Sequence, residues 1–313
     1  MVKLTLEYNE KFITIAKIES DRKTDKLNGE ILSIDPIIEN KNNIISDLQD
    51  INIQEYYKKS ASKVMIEKSE KMYKFLSTRK KPDNSEDLEI YNQITKDSAN
   101  HFKLKTGQFI PLPNINMERT IWYLFGASGS GKSYLSASII KQWLKLNLNS
   151  EVYIFSKLND DVALDNLGLR THRVQIDTLL DEPIVIEDIP DGSLILYDDV
   201  DTETNKTIAN NLYNLLDSVL QIGRHKKISA IITSHTACNY RKTKVVLNES
   251  HYIIVYPNSG SFYQINYLLK TYCGLSNNQV SKVRNLSSRW VCFYRWTPQY
   301  LLTENECFIL KHF

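Results

Sequence analysis

From residue 119 onward, short apolar runs alternate with amphipathic stretches. Ile121–Phe125, Val152–Phe155, Leu194–Tyr197, Ser229–Thr233 and Tyr252–Tyr256 are runs of four or five residues, too short for helices, and read as buried strands. Between them, residues 132–147 and 205–222 carry apolar side chains at helical spacing. In the second stretch Ile208, Leu212, Leu215, Leu216, Val219 and Ile222 fall on one face. Beyond 260 the pattern predicts helices near 262–272 and 277–285 and a strand at Trp290–Tyr294. Strands alternating with helices imply an α/β fold, a mainly parallel sheet covered on both faces.

The N-terminal part is patterned differently. Lys3–Leu6 and Phe12–Ile18 alternate apolar and polar residues and read as strands. Val64, Met65, Met72, Phe75 and Leu76 predict an amphipathic helix over 55–80, followed by a loop at 82–87 and a short helix over 86–100. Pro111 and Pro113 force extended backbone into the central region. No internal repeat is visible. The expected division is an accessory α+β region over 1–110 and an α/β domain over 111–313, consistent with 313 residues at about 100–200 per domain.

Hydrophobic residues at 42% and charged residues at 24% exclude wholesale disorder, collagen and a coiled coil. Charges interrupt the first twenty residues, so no signal peptide is expected, and no run of about 18 apolar residues predicts a membrane span. Cys238, Cys273, Cys292 and Cys307 form no C-x-x-C pair. They lack zinc spacing and read as reduced, partly buried thiols.

The chemistry concentrates at two strand ends. Gly126-Ala-Ser-Gly-Ser-Gly131-Lys132-Ser133 matches G-x-x-x-x-G-K-[ST] at every fixed position, between an apolar strand and a helix. Such a loop wraps a β-phosphate in backbone N–H groups, and the helix N-terminus adds partial positive charge. The residues expected around ATP are Gly126, Ala127, Ser128, Gly129, Ser130, Gly131, Lys132, Ser133 and Tyr134. Lys132 is expected at the β/γ-phosphates and the Ser133 hydroxyl on Mg²⁺. Leu194–Tyr197 ends in Asp198-Asp199, 66 residues beyond the lysine. Asp198 is the expected Mg²⁺ carboxylate. Asp199, or Asp201 as the alternative, is the expected water-orienting group. Ser229–Thr233 ends in Ser234-His235, which makes His235 a candidate sensor of the γ-phosphate or contact for the attacking water. Arg224 and His225 close the preceding helix, where cations also complement the helix dipole.

The P-loop GASGSGKS, the strand LILYDDVD, GRHKKISAIITSH, VVLNESHYIIVYP and SSRWVCFYRWTP stand in this order over about residues 119–300. Together they resemble the DNA-packaging ATPases of nucleocytoplasmic large DNA viruses, the poxvirus-type branch of the FtsK–HerA superfamily of P-loop NTPases. The resemblance implies a RecA-like sheet with an extra strand between the P-loop and Walker B strands. It implies a ring of subunits and ATP-driven movement of double-stranded DNA into a capsid. It puts Lys132 and Ser133 in Walker A, Asp198 in Walker B and Asp199 at the catalytic carboxylate. His235 stands where many relatives carry Gln. Arg224 and Arg241 are the candidates for an arginine finger. Capsid or portal components are the implied partners, and the host cytoplasm, as a virus factory, or the virion is the implied location.

The net charge of +2 conceals a split. Residues 1–118 hold 19 basic and 19 acidic side chains, residues 119–207 hold 8 and 14, and residues 208–313 hold 12 and 4. Arg224-His225-Lys226-Lys227 and Arg241-Lys242-Thr243-Lys244 are clusters suited to phosphate backbones, or equally to a solvated face. Tyr240, Tyr263, Tyr267, Tyr272, Trp290 and Trp296 are candidates for base stacking or for the core. An acidic part beside a basic part also suits head-to-tail contacts. The motor reading competes with a P-loop kinase, a nucleotide-switched structural protein and an ATPase for virion morphogenesis or protein export without DNA.

Overall fold

The computed structural model describes residues 2–7, 9–22, 24–36, 100–238, 243–310 and 313. The expected helix over 55–80, the 82–87 loop, nearly all of the 86–100 helix, and Tyr240, Arg241 and Lys242 lie outside the described residues.

The strands are β1 (Lys3–Thr5), β2 (Ile13–Glu19), β3 (Ile31–Asp35), β4 (His101–Lys103), β5 (Gln108–Pro111), β6 (Ile121–Phe125), β7 (Val152–Ser156), β8 (Thr171–Gln175), β9 (Leu194–Asp198), β10 (Ser229–Ser234), β11 (Tyr252–Val255), β12 (Val291–Tyr294), β13 (Tyr300–Thr303) and β14 (Glu306–Ile309). The α-helices are α1 (Lys132–Leu146), α2 (Lys206–Gln221), α3 (Lys244–Glu249), α4 (Phe262–Cys273) and α5 (Asn277–Arg284). The larger sheet has ten strands in the order β4-β14-β13-β12-β11-β6-β10-β9-β7-β8. From β11 to β8 every pairing is parallel; from β11 through β12, β13 and β14 to β4 every pairing is antiparallel. The strand expected between the P-loop strand and the Asp198 strand is β10, which pairs with both β6 and β9.

Alternation along β6 divides the core. Ile121, Tyr123 and Phe125 face a cluster that includes the apolar stripe of α2 and parts of α3, α4 and α5. Trp122 and Leu124 face a second cluster with Ile139, Ile140 and Trp143 of α1. Burial on both faces explains why these strands are apolar throughout. Asn205 caps α2, its side chain accepting from the N–H groups of Thr207 and Ile208. Ile222, expected on the buried stripe, is half-exposed instead: the helix ends at Gln221, and Leu220 takes the inward position.

β1, β3, β2 and β5 form a separate antiparallel sheet in that order. Its inward residues Ile15, Ile18, Leu32 and Ile34 join the α1 cluster. The expected boundary at 110/111 falls inside β5, and β4, also from the N-terminal part, is an edge strand of the large sheet. β4, β8, β13 and β14 and three 3-10 turns have too little periodicity to be read from sequence. Cys273, Cys292 and Cys307 are buried in the core.

Arg119 and His251 tie the start of β6 to its neighbours. The Arg119 guanidinium donates to the carbonyls of Val219 and Leu220 at the end of α2. The N–H of Ile121 donates to Nδ1 of His251 at 2.9 Å. Burial, with Arg119 and Arg295 nearby, pushes the His251 pKa from 6.5 down to about 4. The folded protein therefore holds this imidazole neutral where the unfolded chain protonates it. Stability is full above pH 6.5 and declines as the pH falls towards 4, by as much as about 3 kcal/mol from this group. In His251→Asn, whose side-chain oxygen keeps the acceptor for Ile121, chemical unfolding between pH 6.5 and 4 should show a flatter decline. An unchanged slope would assign the acid sensitivity elsewhere.

Candidate nucleotide-binding site

The residues between β6 and α1 turn the chain through a tight loop. Gly129 and Gly131 have φ of 73° and 106°, a region costly for any residue with a Cβ. Crowding adds to this. A Cβ on Gly126 would lie 2.6 Å from Ser130 Oγ and 2.8 Å from Tyr256 Cδ2. One on Gly131 would lie 2.9 Å from an Arg289 guanidinium nitrogen. The loop is anchored by the end of β10 and the turn after β11: Gly126 N–H donates to the Ser234 carbonyl at 3.2 Å, and Ala127 N–H to Ser259 Oγ at 2.7 Å. No side chain caps the N-terminus of α1 and no acidic residue sits in its first turn. Its amides and dipole are thus available to an anion.

Lys132 is 4% exposed. Its ammonium donates to the Gly126 carbonyl at 3.0 Å, lies 3.3 Å from His235 Nδ1 and stands 3.5 Å from Asp199 Oδ1. His235 Nε2 is 2.9 Å from Asp199 Oδ2. An Nε2–H donating to the carboxylate leaves Nδ1 to accept from Lys132, so one neutral tautomer satisfies both contacts. Asp199 has φ of 50°, and its N–H donates to Thr233 Oγ1 at 2.8 Å. That backbone turn presents its carboxylate to Lys132 and His235, while Asp198 remains buried.

Asp198 is 3% exposed. Ser156 Oγ donates to its Oδ2 at 3.1 Å, and the Thr233 hydroxyl lies 3.1 Å from its Oδ1 and 3.0 Å from Asp199 Oδ1. Thr233 has one proton for two carboxylates, so only one can be served at a time. Burial first, and the neighbouring Asp199 charge second, raise the Asp198 pKa above the ordinary carboxylate value. Asp201 accepts from Ser234 Oγ at 2.7 Å and takes no part in the Lys132 cluster. The alternative water-orienting residue is therefore committed to holding a strand end. Ser133 lies in the first turn of α1, half-buried. Ala127, Ser128 and Gly129 are exposed along the loop, and Tyr134 is 64% exposed beside it.

Arg224 is placed elsewhere. It follows α2 and precedes β10, whose far end carries Ser234 and His235. A six-residue strand spans roughly 20 Å, so Arg224 stands at the opposite edge of the sheet from the loop. There it faces Glu118 at 3.5 Å, both side chains exposed. It does not act within its own subunit's site; its position at the end of α2 fits the helix-dipole role. Lys226, paired with Asp191 at 3.4 Å, belongs to the same edge. Tyr263, Tyr267 and Trp296 are exposed, whereas Trp290 is buried.

Sequence reasoning missed Ser156, Thr233, Tyr256, Ser259 and Arg289. Thr233 and Ser156 end apolar strand runs, and their polarity at those positions is a usable signal. Arg289 reaches the Ser130 carbonyl at 3.2 Å from 159 residues away, which only the fold reveals. Among the described residues, no group of three or more His, Cys, Asp or Glu forms a metal site on its own, and no helix is long and apolar enough to cross a membrane.

A raised pKa means that folding binds the Asp198 proton more tightly than the unfolded chain does. The ionised group then opposes folding progressively as pH rises above the ordinary carboxylate range. Asp198→Asn should raise the thermal midpoint at neutral pH, with a gain that shrinks on acidification. A lower midpoint for the variant at neutral pH would contradict this account of the site.

No protein-family model matches the chain. Among solved structures it is similar to the DNA-packaging ATPase B204 of Sulfolobus turreted icosahedral virus, at 15% identity and TM-score 0.42, over 60% of this chain and 98% of that one. It is also similar to the cytoplasmic domain of the Thermomonospora curvata type VII secretion ATPase EccC, at 12% identity and TM-score 0.45, over 66% of this chain and 28% of that one. The uncharacterized protein V3 of Sputnik virophage is 36% identical over 216 residues, which cover 68% of this chain and 86% of that protein. At that identity and coverage, the chain belongs to the family of the Sputnik virophage protein V3.

Proposed function

We propose that this protein hydrolyses ATP with Mg²⁺ and uses the energy to move double-stranded DNA into a viral capsid, as a ring of identical subunits. The observation that carries the hydrolysis is the cluster of Lys132, Asp199 and His235 within 3.5 Å of one another at the mouth of the phosphate loop. The donor set suits the metal: hard oxygen ligands, Ser133 Oγ and the buried Asp198 carboxylate, would hold Mg²⁺ with phosphate oxygens completing the shell. Bound there, the ion would offset charge on the β- and γ-phosphates.

The protein's own groups divide the remaining work. Loop amides and the α1 N-terminus bind the phosphates. Phosphate oxygens compete with Asp199 for the Lys132 ammonium, which then stabilises charge developing in the transition state. Asp199 orients the attacking water, and His235, hydrogen-bonded to it, reports the γ-phosphate through the imidazole that also faces Lys132. A viral genome as cargo is supported by the motif order over 119–300 and by the basic excess of residues 208–313. An arginine supplied across the ring would complete the site, with Arg224 and Arg241 as candidates. Capsid or portal proteins are the expected docking partners, in the host cytoplasm or the virion.

The test is phosphate release by the purified protein with and without duplex DNA across a salt series. DNA should stimulate turnover, and the stimulation should fall steeply with salt. Lys132→Ala should lower kcat about 100-fold or more. Full activity in that variant would sink the site assignment. Turnover indifferent to DNA at every salt concentration would favour an ATPase of virion morphogenesis or protein export.

A further inference from the structure

The helices and turns on the α2 side of the large sheet form a layer whose two ends differ in character. At one end are α4 and α5, which lie in the chain between β11 and β12. Their inward residues Ile265, Leu268, Leu269, Val280 and Val283 join the core. Their outward residues include Phe262, Tyr263, Tyr267, Lys270, Lys282 and Arg284, all exposed. The Arg284 guanidinium lies over the Phe262 ring at 4.2 Å, and Lys282 donates to the Phe313 carbonyl at 3.0 Å. Residues 250–303 hold five Lys or Arg and no Asp or Glu, so no carboxylate of this stretch neutralises the face. At the other end are the 3-10 turns Ile176–Leu180 and Ile186–Asp188, beyond the edge strand β8. Ile176, Leu179, Ile186 and Ile189 face the same core cluster, and Asn211 of α2 donates to the Leu179 carbonyl at 2.7 Å. The outward side of this segment is acidic. Asp177, Asp181, Glu182, Glu187 and Asp188 are exposed, and residues 177–188 hold no Lys or Arg. Lys226 reaches the Glu187 carbonyl, but its ion partner is Asp191. Leu180 and Val185 are half-exposed among these carboxylates.

We infer that the outward face of α4 and α5 docks a second copy of this chain, through the acidic 177–188 segment of that copy. Each surface holds what the other lacks. Aromatic side chains beside cations meet aliphatic side chains beside carboxylates, so apolar area is covered while opposite charges set the register. The two surfaces lie at opposite ends of one layer, with β6, β10, β9 and β7 between them in the sheet order. A copy that uses one surface leaves its other surface open to a third copy. The contact therefore propagates head to tail and closes into a ring where the rotation permits. The inference rests on the ring of subunits proposed above and names the surfaces that meet in it.

Light scattering of the full chain over a concentration series, with a non-hydrolysable Mg·ATP analogue and duplex DNA, reads the contact as particle mass. Lys270→Glu, Lys282→Glu and Arg284→Glu together give both surfaces negative charge. Asp177→Lys, Asp181→Lys, Glu182→Lys and Glu187→Lys together give both positive charge. Each set alone should raise the concentration needed for assembly about tenfold or more, with an unchanged thermal midpoint, because like charges then face each other. A chain carrying both sets restores opposite charges and should assemble as the unaltered chain does. Tyr263→Ala with Tyr267→Ala, which changes no charge, should also weaken assembly. Unaltered assembly in both single sets and in the tyrosine variant overturns the inference while the ring reading stands. So does an α4–α5 set that loses duplex DNA affinity yet assembles as before, since that face then binds a phosphate backbone instead. A particle of one subunit's mass under every condition overturns the ring reading, and this contact with it.

Discussion

Strand β6 has parallel partners on both sides, and the register of the two ladders builds the site. Phe125 is paired with Ser234 of β10 and with Val255 of β11. The next residue on each strand is therefore Gly126, His235 and Tyr256, three neighbours at one level. One ladder further, Ile232 pairs with Tyr197, and Ser156 with Asp198. Ser156, Asp198 and Thr233 thus stand side by side on neighbouring strands. A slip of one residue in any ladder would turn these side chains to the opposite face and bury polar groups in a helix interface. The apolar residues that hold the register are the same ones that locate the chemistry.

That arrangement concentrates charge where water is scarce. Lys132 and Asp198 are almost fully buried, and Asp198 is unfavourably ionised there by burial and by Asp199. Hydroxyls of Ser156 and Thr233 offset part of this, but Thr233 is shared between two carboxylates. Such a cluster is poorly compensated by the protein alone. On the function proposed above, a dication beside Asp198 and a polyphosphate beside Lys132 would balance it. The site thus sacrifices some fold stability to hold groups poised for a ligand.

What could be read from the sequence follows from how local the determining physics is. The phosphate loop, the Asp198 strand end and His235 each depend on a strand and the few residues after it, and the parallel core strands announce themselves as apolar runs. The four-residue strands β13 and β14 and the edge strands β4 and β8 are specified by partners distant in sequence, so no short window reveals them. Arg224 shows what a motif leaves open: it precedes the strand that His235 follows, so the two stand at opposite edges of the sheet. Arg289 shows the converse, remote in sequence and touching the loop. At the amino ends of the strands the charge split in sequence does not become a split in space: Arg224 and Lys226 pair there with Glu118 and Asp191.

The N-terminal sheet is more than a cover. Its apolar face packs in the same cluster as Ile139, Ile140 and Trp143 of α1, and Gln142 of α1 donates to Glu19 of β2 at 3.2 Å. The helix that begins at the phosphate loop is thus held between two sheets, one of which carries Asp198 and leads into Asp199. Movement of the loop on ligand binding would have to carry α1 against the N-terminal sheet or shift both together. Packed interfaces of this kind move as units rather than deform. The antiparallel extension closes the circuit: β14 seats β4, Phe109 N–H of β5 donates to the Glu304 carbonyl at 2.7 Å, and Arg289 reaches the loop. Loop, N-terminal sheet and C-terminal extension are thereby linked by direct contacts.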